Sequence, residues 1–229
     1  MKAMILAAGR GERMRPLTDH TPKPLLQVGG QALIVWHLEN LAKAGFKEIV
    51  INHAHLGEQI ELALGNGSQW NLKIQYSAET EALETAGGIA NALPLLTEGG
   101  AESEPFLVVN GDTFTDFDFA AIKLSQNMLA HLVLIDNPPQ HPQGDFAIEN
   151  GLLAHKSAIL NTQKVLTFSG IGVYHPSLFA GIQRGEAAKL APLLREAINE
   201  SKATAEYYQG VWHDIGTPER LHALNSQLS

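Results

Sequence analysis

The sequence predicts an α/β protein: a Rossmann-like, mostly parallel central sheet flanked by helices, with a smaller antiparallel portion. Two features of the chain's order carry this. The first half alternates β-branched runs with helical periodicity, an order that demands crossover connections and hence parallel strands. After about residue 113 the alternation fades into short strands and turns. A third observation is size and composition: 229 residues, 45% hydrophobic and 17% charged, are enough to bury a large core. A single domain over residues 1–229 is expected, divided functionally at about 113.

The elements follow in order. Met4, Ile5 and Leu6 form an apolar strand that breaks at Ala7. Residues 32–44 set Ile34, Leu38 and Leu41 on one helical face, closed by Gly45. Residues 47–52 (KEIVIN) form a buried strand, 56–64 a short helix ending at Gly65, and 72–76 a third strand. Residues 86–96 continue as helix and 105–110 (PFLVVN) as a core strand. The second half holds a strand at 130–135 and a proline-rich loop at 137–144 (NPPQHPQG). Two short antiparallel strands are expected within 146–159, and another strand at 170–174. An amphipathic helix spans 190–201, with Leu190, Leu193, Leu194, Ala197 and Ile198 on one side. Thr217 caps a final helix that starts at Pro218.

A formal net charge of −8 disfavours nucleic acid and anionic membranes as partners. The absence of cysteine excludes disulfides and thiolate metal sites. The apolar N-terminal run is only about six residues, far too short for a signal peptide or a span. A cytoplasmic protein is expected. Nothing in the chain specifies an oligomeric state, and a monomer is compatible with it.

The chemistry concentrates where the first strand ends. Ala7, Ala8, Gly9 and Gly11 leave the backbone unobstructed, so a phosphate can rest on amide N–H groups. Arg10, Arg13, Arg15 and Lys23 follow within fourteen positions, four of only sixteen Lys and Arg residues. Such a strand, loop and cation series is a phosphate cradle. It is neither a Walker A loop, whose spacing is missing, nor the dinucleotide fingerprint, whose third glycine is replaced by Met14. Pro22 and Pro24 stiffen the backbone on either side of Lys23. Asn110-Gly111-Asp112 sits at the carboxyl end of its strand, where open α/β sheets bind ligands. Asp116-Phe117-Asp118 has the form of a metal motif, but Asp118 reads as the cap of a helix over 119–122.

The run L-A-A-G-x-G-x-R-x-x-P-L-T, followed by T-P-K-P-L, closely resembles the signature of the sugar-1-phosphate nucleotidyltransferases. That resemblance implies the nucleotidyltransferase (GT-A-like) form of the fold, with a nucleotide half up to about 113 and a sugar half beyond. It implies that Ala8, Gly9, Gly11, Glu12, Arg13 and Lys23 hold a triphosphate, with Arg13 and Lys23 catalytic through charge neutralisation. Leu83-Glu84-Thr85-Ala86-Gly87 resembles the family's base-reading loop, with Glu84 in place of a glycine. Glu79 stands where many relatives carry glutamine, and its carboxylate can accept from the N3–H of uracil. Asp112 and Asp214, the latter in Trp212-His213-Asp214-Ile215-Gly216-Thr217, map onto the pair that holds Mg²⁺.

For the sugar, Asn110, Gly144, Asp145 and Ser169 map onto the family's pocket. Phe168 departs from the usual polar residue, and no Glu-Lys-Pro segment lies near His155-Lys156. The implied substrates are UTP and a sugar 1-phosphate. Patches along the whole chain are most similar to the branch whose acceptor is N-acetylmuramic acid α-1-phosphate, used in peptidoglycan recycling. Alternatives are glucose, mannose or N-acetylglucosamine 1-phosphate, phosphocholine with CTP, or a non-catalytic sensor of nucleotide sugars. The muramate acceptor carries an extra carboxylate, whose donor is expected to be a backbone amide, a Lys or a bound water, and Gln140, His141 and Gln143 of the 137–144 loop are candidates to supply it.

Overall fold

A computed structural model describes residues 1–99, 103–156 and 164–228. Its centre is a nine-stranded sheet in the order β5-β4-β1-β6-β11-β8-β12-β10-β9. The strands of the first half are β1 (Ala3–Leu6), β4 (Glu48–His53), β5 (Lys73–Ala78) and β6 (Phe106–Asn110), all parallel. Those of the second half are β8 (Ala130–Ile135), β9 (Phe146–Glu149), β10 (Leu152–His155), β11 (Thr167–Tyr174) and β12 (Ala203–Tyr207). Of these, β8 and β12 pair in parallel, whereas β11 joins β6 and β8 antiparallel and β9-β10 is a hairpin.

Because β1, β4 and β6 are apolar on both faces, helices cover both. Ile5, Ile49, Ile51, Leu107 and Val109 meet Leu38 and Leu41 of α1 (Leu33–Lys43) and Ile60 of α2 (Gly57–Leu64). Met4, Val50 and Val108 face the other way, towards Ile89 of α3 (Glu84–Leu96) and Leu194 of α4 (Leu190–Asn199). Each fully buried Leu or Ile contributes about 1.5–3 kcal/mol. A third cluster seats α5 (Pro218–Leu228) through Leu221 and Leu224 against Val28 and Phe114.

All but one of the sequence-predicted elements are present, with ends shifted by a few residues. Leu56 lies outside its helix, in the left-handed region at φ 56°. The expected strand pair at 146–159 is β9-β10, and residues 157–159 lie outside the described ones. A helix over 119–122 is not formed. Asp118 instead accepts from the Ala120 amide at 3.0 Å in a turn, since four residues are too few to sustain a helix. Unforeseen were β12, the hairpin of β2 (Gln27–Val28) and β3 (Gln31–Ala32), and the ribbon of β7 (Thr113–Thr115) and β13 (Trp212–Asp214). These segments are two to five residues long and lack a β-branched apolar run, so tertiary pairing decides them.

Candidate active site

β1 lies between β4 and β6, where the strand order reverses, and ligands of open α/β sheets bind outside that point. A cavity of about 380 Å³ opens there. All of the predicted nucleotide residues line it: Ala8, Gly9, Gly11, Glu12, Arg13, Lys23, Glu79, Glu84 and Thr85, together with Asn110 and Asp112. Among the described residues the amides of Ala8 and Gly9 have no acceptor. A Cβ on Gly9 would meet no protein atom within 4 Å and would fill the cavity instead. Gly11 adopts φ 69°, which turns the chain into the short helical turn Glu12–Met14.

The four cations divide. Arg10 donates to the Thr18 carbonyl at 2.8 Å and pairs with Asp19 at 3.6 Å. Arg15 reaches the same Asp19 at 2.7 Å. Both brace the loop. Arg13 is exposed on the cavity wall with no ion-pair partner among the described residues. Lys23 is 8% exposed, and its Nζ donates to Asp112 Oδ2 at 2.6 Å.

Asp112 and Asp214 are brought together by the β7-β13 ribbon, which pairs Asp214 with Thr113. The Ile215 amide also donates to the Asp112 carbonyl at 2.9 Å. Asp214 is ion-paired with Arg220 of α5, a residue sequence reasoning did not single out. An arginine one turn past a helix-capping Thr-Pro was the available signal. Among the described residues no group of three or more carboxylates or imidazoles converges. Two hard oxygen donors beside a phosphate cradle fit Mg²⁺, which takes one or two carboxylates and fills its shell with phosphate oxygens and water.

Asn52 was also missed, and it ties three strand ends together. Its Oδ1 accepts from the Ala7 amide at 2.9 Å, and its Nδ2 donates to Glu79 Oε1 at 2.7 Å. Glu79 Oε2 accepts from the Leu83 amide at 3.0 Å, which closes the base loop. Both oxygens of this buried carboxylate are therefore engaged within the protein, each with acceptor capacity to spare. Glu84 holds φ 58°, the left-handed conformation that glycine adopts without strain.

On α1, near Asp112 and the Thr113 backbone, stands His37, 1% exposed, with an Nε2 that has no hydrogen-bond partner among the described residues. Burial pushes its pKa down to about 4, although the Thr113 backbone and the Asp112 charge pull the other way.

A second cavity of about 570 Å³ adjoins the first, and Glu84, Thr85 and Asn110 line both. The sugar residues predicted from sequence separate here. Asn110 and Asp145 line it, but Asp145 is already used: Oδ1 meets His141 Nε2 at 2.9 Å and Oδ2 accepts from the Phe168 amide at 2.9 Å. Ser169 lines neither cavity: it is 1% exposed and donates to the Val133 carbonyl at 2.7 Å, next to the register shift of β11 between Phe168 and Gly172. Gly144 does not line the second cavity either but makes a tight turn at φ 57°, and its carbonyl accepts from Lys156. Phe168, Lys156, Lys189 and Arg195 line the cavity instead. Asp116 is no ligand either, since its Oδ1 accepts from the Val211 amide at 2.7 Å and from the Tyr208 hydroxyl.

Residues 2–169 match the family model for Nucleotidyl transferase. The chain belongs to the nucleotidyl transferase family. It is 56% identical to the N-acetylmuramate alpha-1-phosphate uridylyltransferase of Neisseria meningitidis, over 96% of this chain and 95% of that protein. It is 29% identical to the mannose-1-phosphate guanyltransferase beta-A of Xenopus laevis, but spans only 62% of that protein's length. Among solved structures, HddC of Yersinia pseudotuberculosis, complexed with GMP-PN, matches the whole chain with a TM-score of 0.76 at 20% identity. A Bacillus anthracis structure named for glucose-1-phosphate thymidylyltransferase matches with 0.80 at 22%. These two structures bear on the fold alone. No helix among the described residues is long and apolar enough to cross a membrane.

Proposed function

We propose that this chain transfers UMP from UTP to N-acetylmuramic acid α-1-phosphate, releasing pyrophosphate, in the cytoplasm and in the service of cell-wall recycling. The observation that carries the reaction type is the pair of adjoining cavities with a shared wall, one of them floored by unpaired amides and flanked by Lys23 and Arg13. The acceptor rests on 56% identity along nearly the full length of the muramate enzyme.

An oxygen of the sugar phosphate attacks the α-phosphorus of UTP, and the bond to the β-phosphate oxygen breaks. The attacking group already carries about −1.5 to −2 of charge, so it needs no general base. What it needs is alignment with a second polyanion. The Ala8 and Gly9 amides and Arg13 hold the triphosphate, and Lys23 offsets charge as it shifts to the leaving pyrophosphate. Asp112 and Asp214 would hold Mg²⁺, which when bound supplies concentrated positive charge to the phosphate oxygens. Arg220 keeps Asp214 in position. Glu79 anchors the loop that carries Glu84 and Thr85, and its remaining acceptor capacity favours uracil N3–H over the bare N3 of cytosine. On this reading residues 1–113 serve the nucleotide and 114–229 chiefly the sugar, as one domain.

A pyrophosphate-release assay over four nucleoside triphosphates and a panel of sugar 1-phosphates tests this. UTP with the muramate acceptor is expected to give the highest kcat/KM. Preference for another acceptor would leave only the transfer chemistry, and no turnover with any pair would favour a nucleotide-sugar sensor.

A further inference from the structure

We propose that the second cavity receives a second acidic group of the acceptor, the lactyl carboxylate, through Lys189 and Arg195. The assignment rests on the muramate reading above and specifies which residues enforce it. The acceptor has two anionic ends. Its 1-phosphate must face the triphosphate, at the wall shared with the nucleotide cavity, where Thr85 and Asn110 stand. The other end must then find its partners elsewhere in the lining of the second cavity.

The same cavity is lined by cations, in a chain whose net charge is −8. Lys189 follows Ala188, whose backbone bonds to Leu83, Ala86 and Gly87 beside the shared wall. Lys189 immediately precedes α4, and Arg195 lies further along that helix, in its second turn. Neither side chain has an ion pair or hydrogen bond among the described residues. Unpaired surface cations are common, but two of them lining one cavity beside a sugar site are a receptor for an anion. Two acids share the lining, Asp145, whose oxygens are turned onto His141 and the Phe168 amide, and Glu84 at the shared wall, and the three cations Lys156, Lys189 and Arg195 outnumber them. Between the two cations the same cavity is lined by Leu190, Ala191 and Leu194. A lactyl ether presents a methyl beside its carboxylate, so a cationic rim over an aliphatic floor complements both parts of the group.

Lys189 and Arg195 replace Gln140, His141 and Gln143 of the 137–144 loop as the candidate donors. None of the three loop residues lines the cavity, and His141 is turned onto Asp145.

The experiment compares kcat/KM for N-acetylmuramic acid α-1-phosphate and N-acetylglucosamine α-1-phosphate, which lacks the lactyl group, at saturating UTP. Wild type is measured with K189Q, R195Q and the double variant, each checked by thermal melting. A lost charge-assisted hydrogen bond should lower the muramate-to-glucosamine ratio by roughly 10- to 100-fold in each single variant, through KM rather than kcat. K189R should restore much of the ratio. A wild-type preference that persists undiminished in the double variant overturns the assignment of these two residues while sparing the acceptor. Equal losses on both sugars overturn it as well, because the residues then serve no carboxylate. A wild type without preference for the muramate sugar overturns the acceptor reading itself, and this site falls with it.

Discussion

The two cavities share a wall and are built in different ways. About half of the first cavity's lining comes from one contiguous stretch, Leu6 to Pro24, emerging from β1 between two parallel neighbours. The second cavity, proposed for the sugar, has no such dominant stretch and is lined from β6, β9, β10, β11, α3 and α4, segments spread over more than a hundred residues. A backbone cradle depends on glycine and on strand geometry, which leave a fixed spacing in the sequence. A side-chain cavity depends on which segments happen to meet, so it can change its ligand by exchanging single residues. That difference teaches where to expect rigidity and where to expect specificity.

The sharpest way to break the comparison is at the carboxylates. Asp112→Asn and Asp214→Asn should each lower kcat by about 10²-fold or more, with the fold retained, as measured by pyrophosphate release at saturating Mg²⁺. The double variant should be little worse than either, because the two act as a unit. Near-normal turnover in either single variant would remove that residue from the metal site.

Next comes the buried histidine near Asp112. His37 has its pKa lowered to about 4 by burial, below its unfolded value of 6.5. Between those values the unfolded chain binds a proton that the folded chain excludes. Stability is therefore fully present above about pH 6.5 and declines towards pH 4, by an amount on the order of 3 kcal/mol. Denaturant melts of metal-free protein across that window should reveal the slope, and His37→Gln should flatten it. An unchanged slope in the variant would assign the pH dependence to other groups.

A smaller effect tests how strictly the cradle is built. Lys23 is buried between two prolines, and its ammonium already touches Asp112. Lys23→Ala should lower kcat/KM strongly. Lys23→Arg should remain roughly 10-fold below wild type, because the longer planar fork does not fit a site shaped for a compact charge. Full rescue by arginine would mean that only nearby charge matters.

Smallest of all, Glu84→Gly should relieve a left-handed residue that costs about 1–2 kcal/mol, part of which returns as unfolded-chain entropy. A net gain of about 0.5 kcal/mol in thermal or denaturant stability is expected. A loss would mean that the Glu84 side chain makes up for its backbone.

Much of the fold was legible because two periodicities dominate it. The runs MIL, KEIVIN and PFLVVN announce buried parallel strands, and Ile34, Leu38 and Leu41 announce the helix between them. β12 was illegible: Ala203–Tyr207 has no apolar run, and becomes a strand only because β8 and β10 offer free edges. The proposed Asp118 helix failed for the converse reason, a local capping signal without enough chain behind it.

The candidate site divides the same way. From the sequence alone came the phosphate loop, the two stiffened Lys23 flanks, the carboxylate at the end of β6 and the family. Each is encoded within a few consecutive residues, where glycine, proline and charge act locally. Tertiary structure decided that Arg10 and Arg15 brace the loop while Arg13 faces the cavity. It decided that Asn52 links β1 to Glu79, that Ser169 is buried in a sheet and that Lys189 and Arg195 line the sugar cavity. These are contacts between residues distant in the chain. Local physical chemistry does not determine them, because they depend on how nine strands are ordered and which helices close over them.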